Sequence, residues 1–405
     1  TLASLTVVSA GDISIGNAMK VTGEISITGN SGVDIFLGTT GAGLSLTDAE
    51  IDFITEAGSL AITATGAGAS ITVNDVTGGG NVHGATLLTS NADGVFFMTT
   101  ASTFNNSLAV VADDVAIDAA LGVTGIISFT GNSGVNVIVG TGGVSTNLIL
   151  SNAELDLLTA SGGLNITATG AGATLNVNGV TGGGNITGTT TLSSLESTIT
   201  FLNNASTFNN SLALVANNVD VTVALGVTGS ISFTGNSGVD VFLGESGSGL
   251  NLTNAELARL TASGGMNVTA TGAGSSMTVN GVTSGGTIIG TTTLSSDVDG
   301  VTFATTESTF NNALDVVGLT TIAGVNITTT SDSITFSGQV SLTTAGVSIN
   351  TVSGDITFAD ALNGSQALTL TAGAGLVSFV GFVGDSATLA SLTVVSAGDI
   401  SIGNA

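Results

Sequence analysis

The sequence predicts an all-β chain wound as a parallel β-solenoid, and three observations carry that expectation. Residues 1–18, TLASLTVVSAGDISIGNA, return letter for letter as residues 388–405, an offset of 387 residues. Inside that period GNSG recurs at Gly29, Gly131 and Gly235, and STFNN places Phe104, Phe208 and Phe310, all at spacings of 102 to 104 residues. Short segments such as GEISITG (23–29), SLAITATG (59–66), ASITVND (69–75) and GDITFAD (354–360) alternate apolar residues with Ser, Thr, Asn or Asp. Alternation at period two is the mark of a strand with one buried face.

Such strands must bury their apolar faces. Coiling lets each strand pair with its equivalent one coil up, about 4.8 Å away, so that like side chains stack in columns. Gly and Asn at the corners tolerate the positive φ that tight turns need, as in GNSG. Proline, which would delete a ladder donor, is absent. With about 20–30 residues per coil, one period would give about 13–19 coils and about 60–95 Å of axis.

The expected organisation is one tandem period of a continuous solenoid over 1–387, with sub-repeats at about 19–120, 121–224 and 225–317, divergent coils at 318–387, and the start of a second copy at 388–405. The spacing of 102 to 104 residues would also suit a string of immunoglobulin-like sandwiches. Such domains usually carry a core Trp or corner Tyr, and this chain has neither. The divergent segment is also too short for a whole sandwich, whereas a solenoid adds or drops coils freely.

One segment in each sub-repeat departs from the strand texture: TDAEIDFITEAG from Thr47, SNAELDLLTASG from Ser151 and TNAELARLTASG from Thr253. Each opens with S/T-x-x-E, ending at Glu50, Glu154 and Glu256, the pattern of a capping box at a helix start. Apolar pairs follow at Ile51/Ile54, Leu155/Leu158 and Leu257/Leu260, with Phe53, Leu157 and Arg259 between them. A helix of one to two turns is therefore expected near 48–54, 152–158 and 254–260, its variable position facing water.

Charge excludes several functions. The chain carries 28 Asp and Glu against two basic residues, Lys20 and Arg259, for a net charge of −26. Phosphate backbones and anionic lipid surfaces need Lys and Arg, so nucleic-acid and membrane-surface binding are ruled out. The longest apolar stretch, Leu376 to Val383, is interrupted by Ser378 and Gly381 and is too short to span a bilayer as a helix. Without Trp or Tyr there are no girdles for a membrane barrel.

No residue set reads as catalytic, cofactor-binding or metal-binding. His83 aligns with Thr187 and Ile289, Lys20 with Gly122 and Gly226, and Arg259 with Leu157, so no nucleophile or base recurs. Asp113–Asp114 becomes Asn217–Asn218 and then Leu319–Thr320, and Asp34 becomes Asn136 and then Asp240. Calcium wants six to eight oxygens in fixed places, so these shifting acids are expected to form a solvated surface. Weak calcium bridging between acidic faces is the one metal chemistry left open. Asn-x-Ser/Thr triplets at Asn105, Asn165, Asn185, Asn251, Asn267 and Asn326 read as corner asparagines. Thr63/Thr65 and Thr167/Thr169 are too scattered among Ser, Asn and Asp to form an ice-binding array, and Phe104, Phe208 and Phe310 read as core.

The runs LSLTDAEIDFIT, LILSNAELDLLT and LNLTNAELARLT, with the stretch from ITFADALNGSQ to the end, resemble the repeat region of filamentous-haemagglutinin-like giant bacterial proteins. That resemblance implies a right-handed β-helix exported to the cell surface or beyond. The expected function is a non-enzymatic structural filament or adhesin stalk, stiff and protease-resistant. Its expected partners are further copies end to end, with lateral self-association. An adhesive module binding glycan or host receptor is the alternative, and a polysaccharide-active enzyme a more distant one.

Overall fold

The computed structural model describes residues 1–143, 147–330 and 332–403. The fold is an all-β solenoid with about 4% helix. The chain divides into two compact units, Thr1–Asn210 and Ser211–Ala405. Both are stacks of coils whose turns contribute strands to three faces, the first turn to two of them.

In the first unit the widest face is built from Leu5–Ser9, Glu24–Gly29, Ser59–Ala64, Thr86–Ser90, Leu108–Ala112, Ile126–Gly131, Gly163–Ala168 and Thr190–Ser194. The second face includes Ile35–Gly38, Ile71–Val73, Gly94–Phe97 and Asp114–Ile117, then Val137–Gly140, Leu175–Asn178 and Thr198–Phe201. Shorter strands such as Ile54–Ala57, Ser102–Phe104, Leu121–Val123 and Leu158–Ala160 make the third. The strands pair in parallel, each with its equivalent one coil away.

The register explains the spacing of GNSG. Along the wide face Ile25 pairs with Leu60, Leu60 with Thr86, Thr86 with Leu108 and Leu108 with Ile127, each step shorter than the one before. Four coils of unequal length thus make one sub-repeat and carry Ile25 to its counterpart Ile127. The second unit runs through the same cycle from Leu212 to Ile231, Met266, Thr292 and Leu314, with the shortest coil first, the longest next and two of falling length after it. It then settles into short coils of nearly equal length at Ile334, Ile356, Val377 and Ile400. The divergent segment has lost the long insertion and kept the coil.

Alternation places columns of apolar side chains inside each face. In the first unit Ile27, Ile62, Leu88, Val110, Phe129, Ile166 and Leu192 lie in register and are buried. Each contributes about 1.5–3 kcal/mol by leaving water. In the second unit the equivalent column includes Phe336, Phe358 and Phe379, whose rings stack at centroid distances of 5.3 and 5.4 Å. Phe104, Phe208 and Phe310 are buried as expected, on strands of the third face in the first unit and in the equivalent STF strand of the second.

The three helices are single turns: α1 (Asp48–Asp52), α2 (Asn152–Asp156) and α3 (Asn254–Leu257). They stop short of the expected ends because Ile54, Leu158 and Leu260 open the next strand rather than closing the helix. In GNSG the second glycine carries the turn: Gly32, Gly134 and Gly238 have φ of +79°, +86° and +82°. Asn30, Asn132 and Asn236 keep ordinary φ, contrary to expectation, because one left-handed residue suffices for the corner. Of the Asn-x-Ser/Thr triplets, Asn105 lies at a bend as expected, but others depart from the corner reading. Asn165 and Asn267 lie mid-strand on the outer side of the wide-face strands, and Asn326 begins a strand.

The duplicated segment docks differently at its two occurrences. Leu5–Ser9 pairs with the wide-face strand Glu24–Gly29. Its repeat, Ser391–Ser396, pairs with Ala367–Thr371 in a separate sheet, and Asp399–Ile402 takes the wide-face position beside Leu376–Phe379. A period-two pattern fits any face, so neighbours choose the placement. Asn404 and Ala405 lie outside the described residues.

Candidate functional site

Where a coil is longest, its extra residues form the same device each time. A strand leaves the second face, pairs back on it, and turns into the capped helix. In the second sub-repeat the Glu154 carboxylate accepts the Ser151 amide at 2.8 Å and the Ser151 hydroxyl at 2.7 Å. Its other oxygen accepts the Ile117 amide, from the coil below, at 3.1 Å. Glu50 does the same with Thr47 and Ile15, and Glu256 with Thr253 and Val221. The glutamate therefore caps its helix and staples it to the preceding coil. The cap was legible in the sequence; the staple was not, since it joins residues 35 to 37 apart.

Electrostatics follow from these bonds. Burial pushes the Glu50 carboxyl up, but the Thr47 hydroxyl and amide and the Ile15 amide outweigh it and nearby Asp12, holding the group below its ordinary value. Asp114 goes the other way. Burial raises it, the Val115 amide opposes, and the charges of Glu154 and Asp93 raise it further. Burial and Asp48 likewise raise Asp52.

The shifting acids have a common explanation. Asp34 Oδ1 accepts the Ser70 amide and hydroxyl at 2.9 and 3.0 Å; Asn136 does so with Thr174 at the same distances, and Asp240 with Ser276 at 2.8 and 2.9 Å. Asp48, Asn152 and Asn254 accept the amides of Thr77, Thr181 and Thr283. Asp113 and Asn217 both accept from the asparagine of GNSG, Asn132 and Asn236. Each position needs one carbonyl-type oxygen aimed at the next coil, which Asp and Asn supply equally. The acids are ladder links, not a solvated surface alone. Among the described residues no three or more His, Cys, Asp or Glu gather to hold a metal.

No family profile, curated protein or solved structure matches this chain. The site must therefore be judged on geometry. His83 is exposed at a corner where only its amide is used, donating to Ala57; Thr187 and Ile289 donate to Ala160 and Ala262 in the same way. Lys20 is exposed on a two-residue strand. Phe53 and Arg259 face water, and Leu157 is half-buried. Arg259 Nη1 donates to the carbonyls of Val221 and Ala255.

Beside Arg259 lies a shallow open groove of about 390 Å³, lined in part by Asn218, Asp220, Asn251, Thr253 and Glu256. Its polar atoms are largely engaged: Asn218 bridges Asp220 and the Asn251 amide, and Glu256 forms the cap. Such a groove can offer hydrogen bonds to a polar ligand. No helix among the described residues is long and apolar enough to cross a membrane.

The threonines form a more regular feature than the sequence suggested. Thr65 and Thr169 sit in turns, bonding the carbonyls of Gly29 and Gly131. Thr63 and Thr167 instead join an outward column of the wide face: Thr28, Thr63, Thr89, Val111, Thr130, Thr167 and Ser193. The column beside it, Ser26, Ala61, Leu87, Ala109, Ser128, Asn165 and Thr191, is mixed, so no paired threonine lattice arises.

Proposed function

We propose that this chain is a segment of an extracellular structural filament or adhesin stalk of the filamentous-haemagglutinin-like kind, non-enzymatic and without a cofactor. The observation that carries the reading is the ladder itself. Within each unit the described coils offer one another a row of backbone donors and acceptors, and the recurrent polar side chains serve as links between coils. Tandem copies then set length. Two basic residues leave trypsin-like proteases few targets, and the negative charge keeps an otherwise apolar polymer dispersed. Calcium enters only as a weak bridge between acidic faces.

The test is electron microscopy of chains holding one, two and three 387-residue periods. A filament in which the about 18 turns per chain stack at about 4.8 Å each predicts a lengthening of about 85 Å per copy. Beads joined by hinges would refute the filament.

The groove beside Arg259 favours glycan binding as a second reading. A glycan array probed with the intact chain and with Arg259→Ala would show binding lost in the variant; no binding by either would remove it.

A further inference from the structure

The wide face of the first unit combines three properties. Of the ionisable side chains in its strands, Glu24 is the one present, and it lies at the rim. The second face also carries one ionisable residue in its strands, Asp114, but bears the acidic inserted helices as well. The other acids of the unit sit at corners, on the other faces or on the inserted helices. Both long insertions of the unit leave from the second face, so α1 and α2 do not stand on the wide one. Its strands are uniform, at five or six residues each. The result is a surface of Thr, Ser, Ala and Asn that is charged only at its rim, in which Val8, Leu87 and Ile126 are 64%, 36% and 37% exposed.

We propose that this face is a self-association surface on which a second copy of the chain lies face to face. Charge argues for that occupant. Two molecules with a net charge of −26 repel along any acidic face, and this is where they approach with least repulsion. A basic partner would gain nothing here, since the carboxylates lie elsewhere. Hydroxyl groups and exposed Val, Leu and Ile suit a like surface, which can satisfy both.

Area describes the size of the contact without fixing its strength. Eight strands at about 4.8 Å by five residues at about 3.3 Å give about 650 Å², somewhat under the about 800 Å² per partner of a standard interface. A footprint below the standard size and flanked by like charges suits a weak contact, with a dissociation constant in roughly the micromolar range or higher. Because the flanking acids repel, it tightens as salt rises, opposite to an interface held by ion pairs. The inference adds a lateral contact to the filament reading but does not need it: a rod that never pairs would sink this inference and leave the filament standing.

Sedimentation equilibrium of the 405-residue chain from about 5 to about 200 µM, at low salt and at about 0.5 M NaCl, tests it. The average mass should climb from monomer toward dimer with concentration, and more steeply in high salt. Thr63→Glu/Thr130→Glu/Thr167→Glu should weaken association at least about tenfold by setting like charges across the contact. Thr72→Glu/Asn176→Glu/Thr200→Glu adds the same charge to the second face and should associate as before. Far-UV circular dichroism checks folding, and the single change Thr130→Glu serves if the triple variant unfolds. A chain that stays monomeric throughout, or two triple variants that weaken equally, would overturn the proposal.

Discussion

Replacing Glu154 by Ala removes a group that does two jobs at once. Its carboxylate accepts the Ser151 amide and hydroxyl and, on the other oxygen, the Ile117 amide. Ile117 is 2% exposed, so its N–H loses a partner in a site that water reaches poorly. An orphaned donor of this kind costs about 1–3 kcal/mol. Loss of the reciprocal cap adds about 1 kcal/mol. Because Glu154 is itself half-buried, water recovers part of this, and the expected loss is about 2–3 kcal/mol. Hydrogen exchange should locate it: the Ile117 amide should exchange about thirtyfold faster or more, with Ser151 following, while strands several coils away stay protected. Asp156→Ala, on the exposed side of the same turn, should change stability by less than about 0.5 kcal/mol. An Ile117 amide that exchanges at its former rate in Glu154→Ala would refute the staple.

Phe358→Ala removes the middle ring of the Phe336–Phe358–Phe379 stack and should destabilise the last coils by about 3–5 kcal/mol, seen as an early step in urea unfolding. Gly184→Ala should cost at least about 1 kcal/mol, because its φ is +81° and a Cβ would meet the Leu155 carbonyl at 2.3 Å; a raised melting temperature would contradict this. Asp114→Asn should stabilise the chain at neutral pH. A raised folded-state pKa means the native form holds the proton more tightly, so wild type gains stability as pH falls through that value, and the variant should lose this gain. Glu50 has the opposite sign: its depressed pKa gives stability above its ordinary value that is lost as pH falls through the folded one, so Glu50→Gln should flatten that limb of the acid unfolding curve.

Much of this architecture is written in local pattern. Alternation in ASITVND and its siblings announces strands, GNSG announces corners, and T-D-A-E announces a cap, because each depends on residues within a few positions. Coil length is not local. The four unequal steps from Ile25 through Leu60, Thr86 and Leu108 to Ile127 hide inside a single GNSG spacing, and only register reveals them. The role of Asp34, Asn136 and Asp240 was hidden likewise. Their interchange looked like the drift of a surface, because the partner serine or threonine lies 36 to 38 residues on. The regular Thr column was obscured because Thr63 and Thr65 look alike in sequence, yet one faces out of a strand and the other closes a turn.

Positions that accept either a carboxylate or its amide uncouple electrical load from shape. Hydrolysis of Asn136 to aspartate with age, or a single-base exchange at Asp240, would leave the interlocking oxygen where it was. The acidity of the chain can thus be retuned, or altered chemically, without refolding the coil.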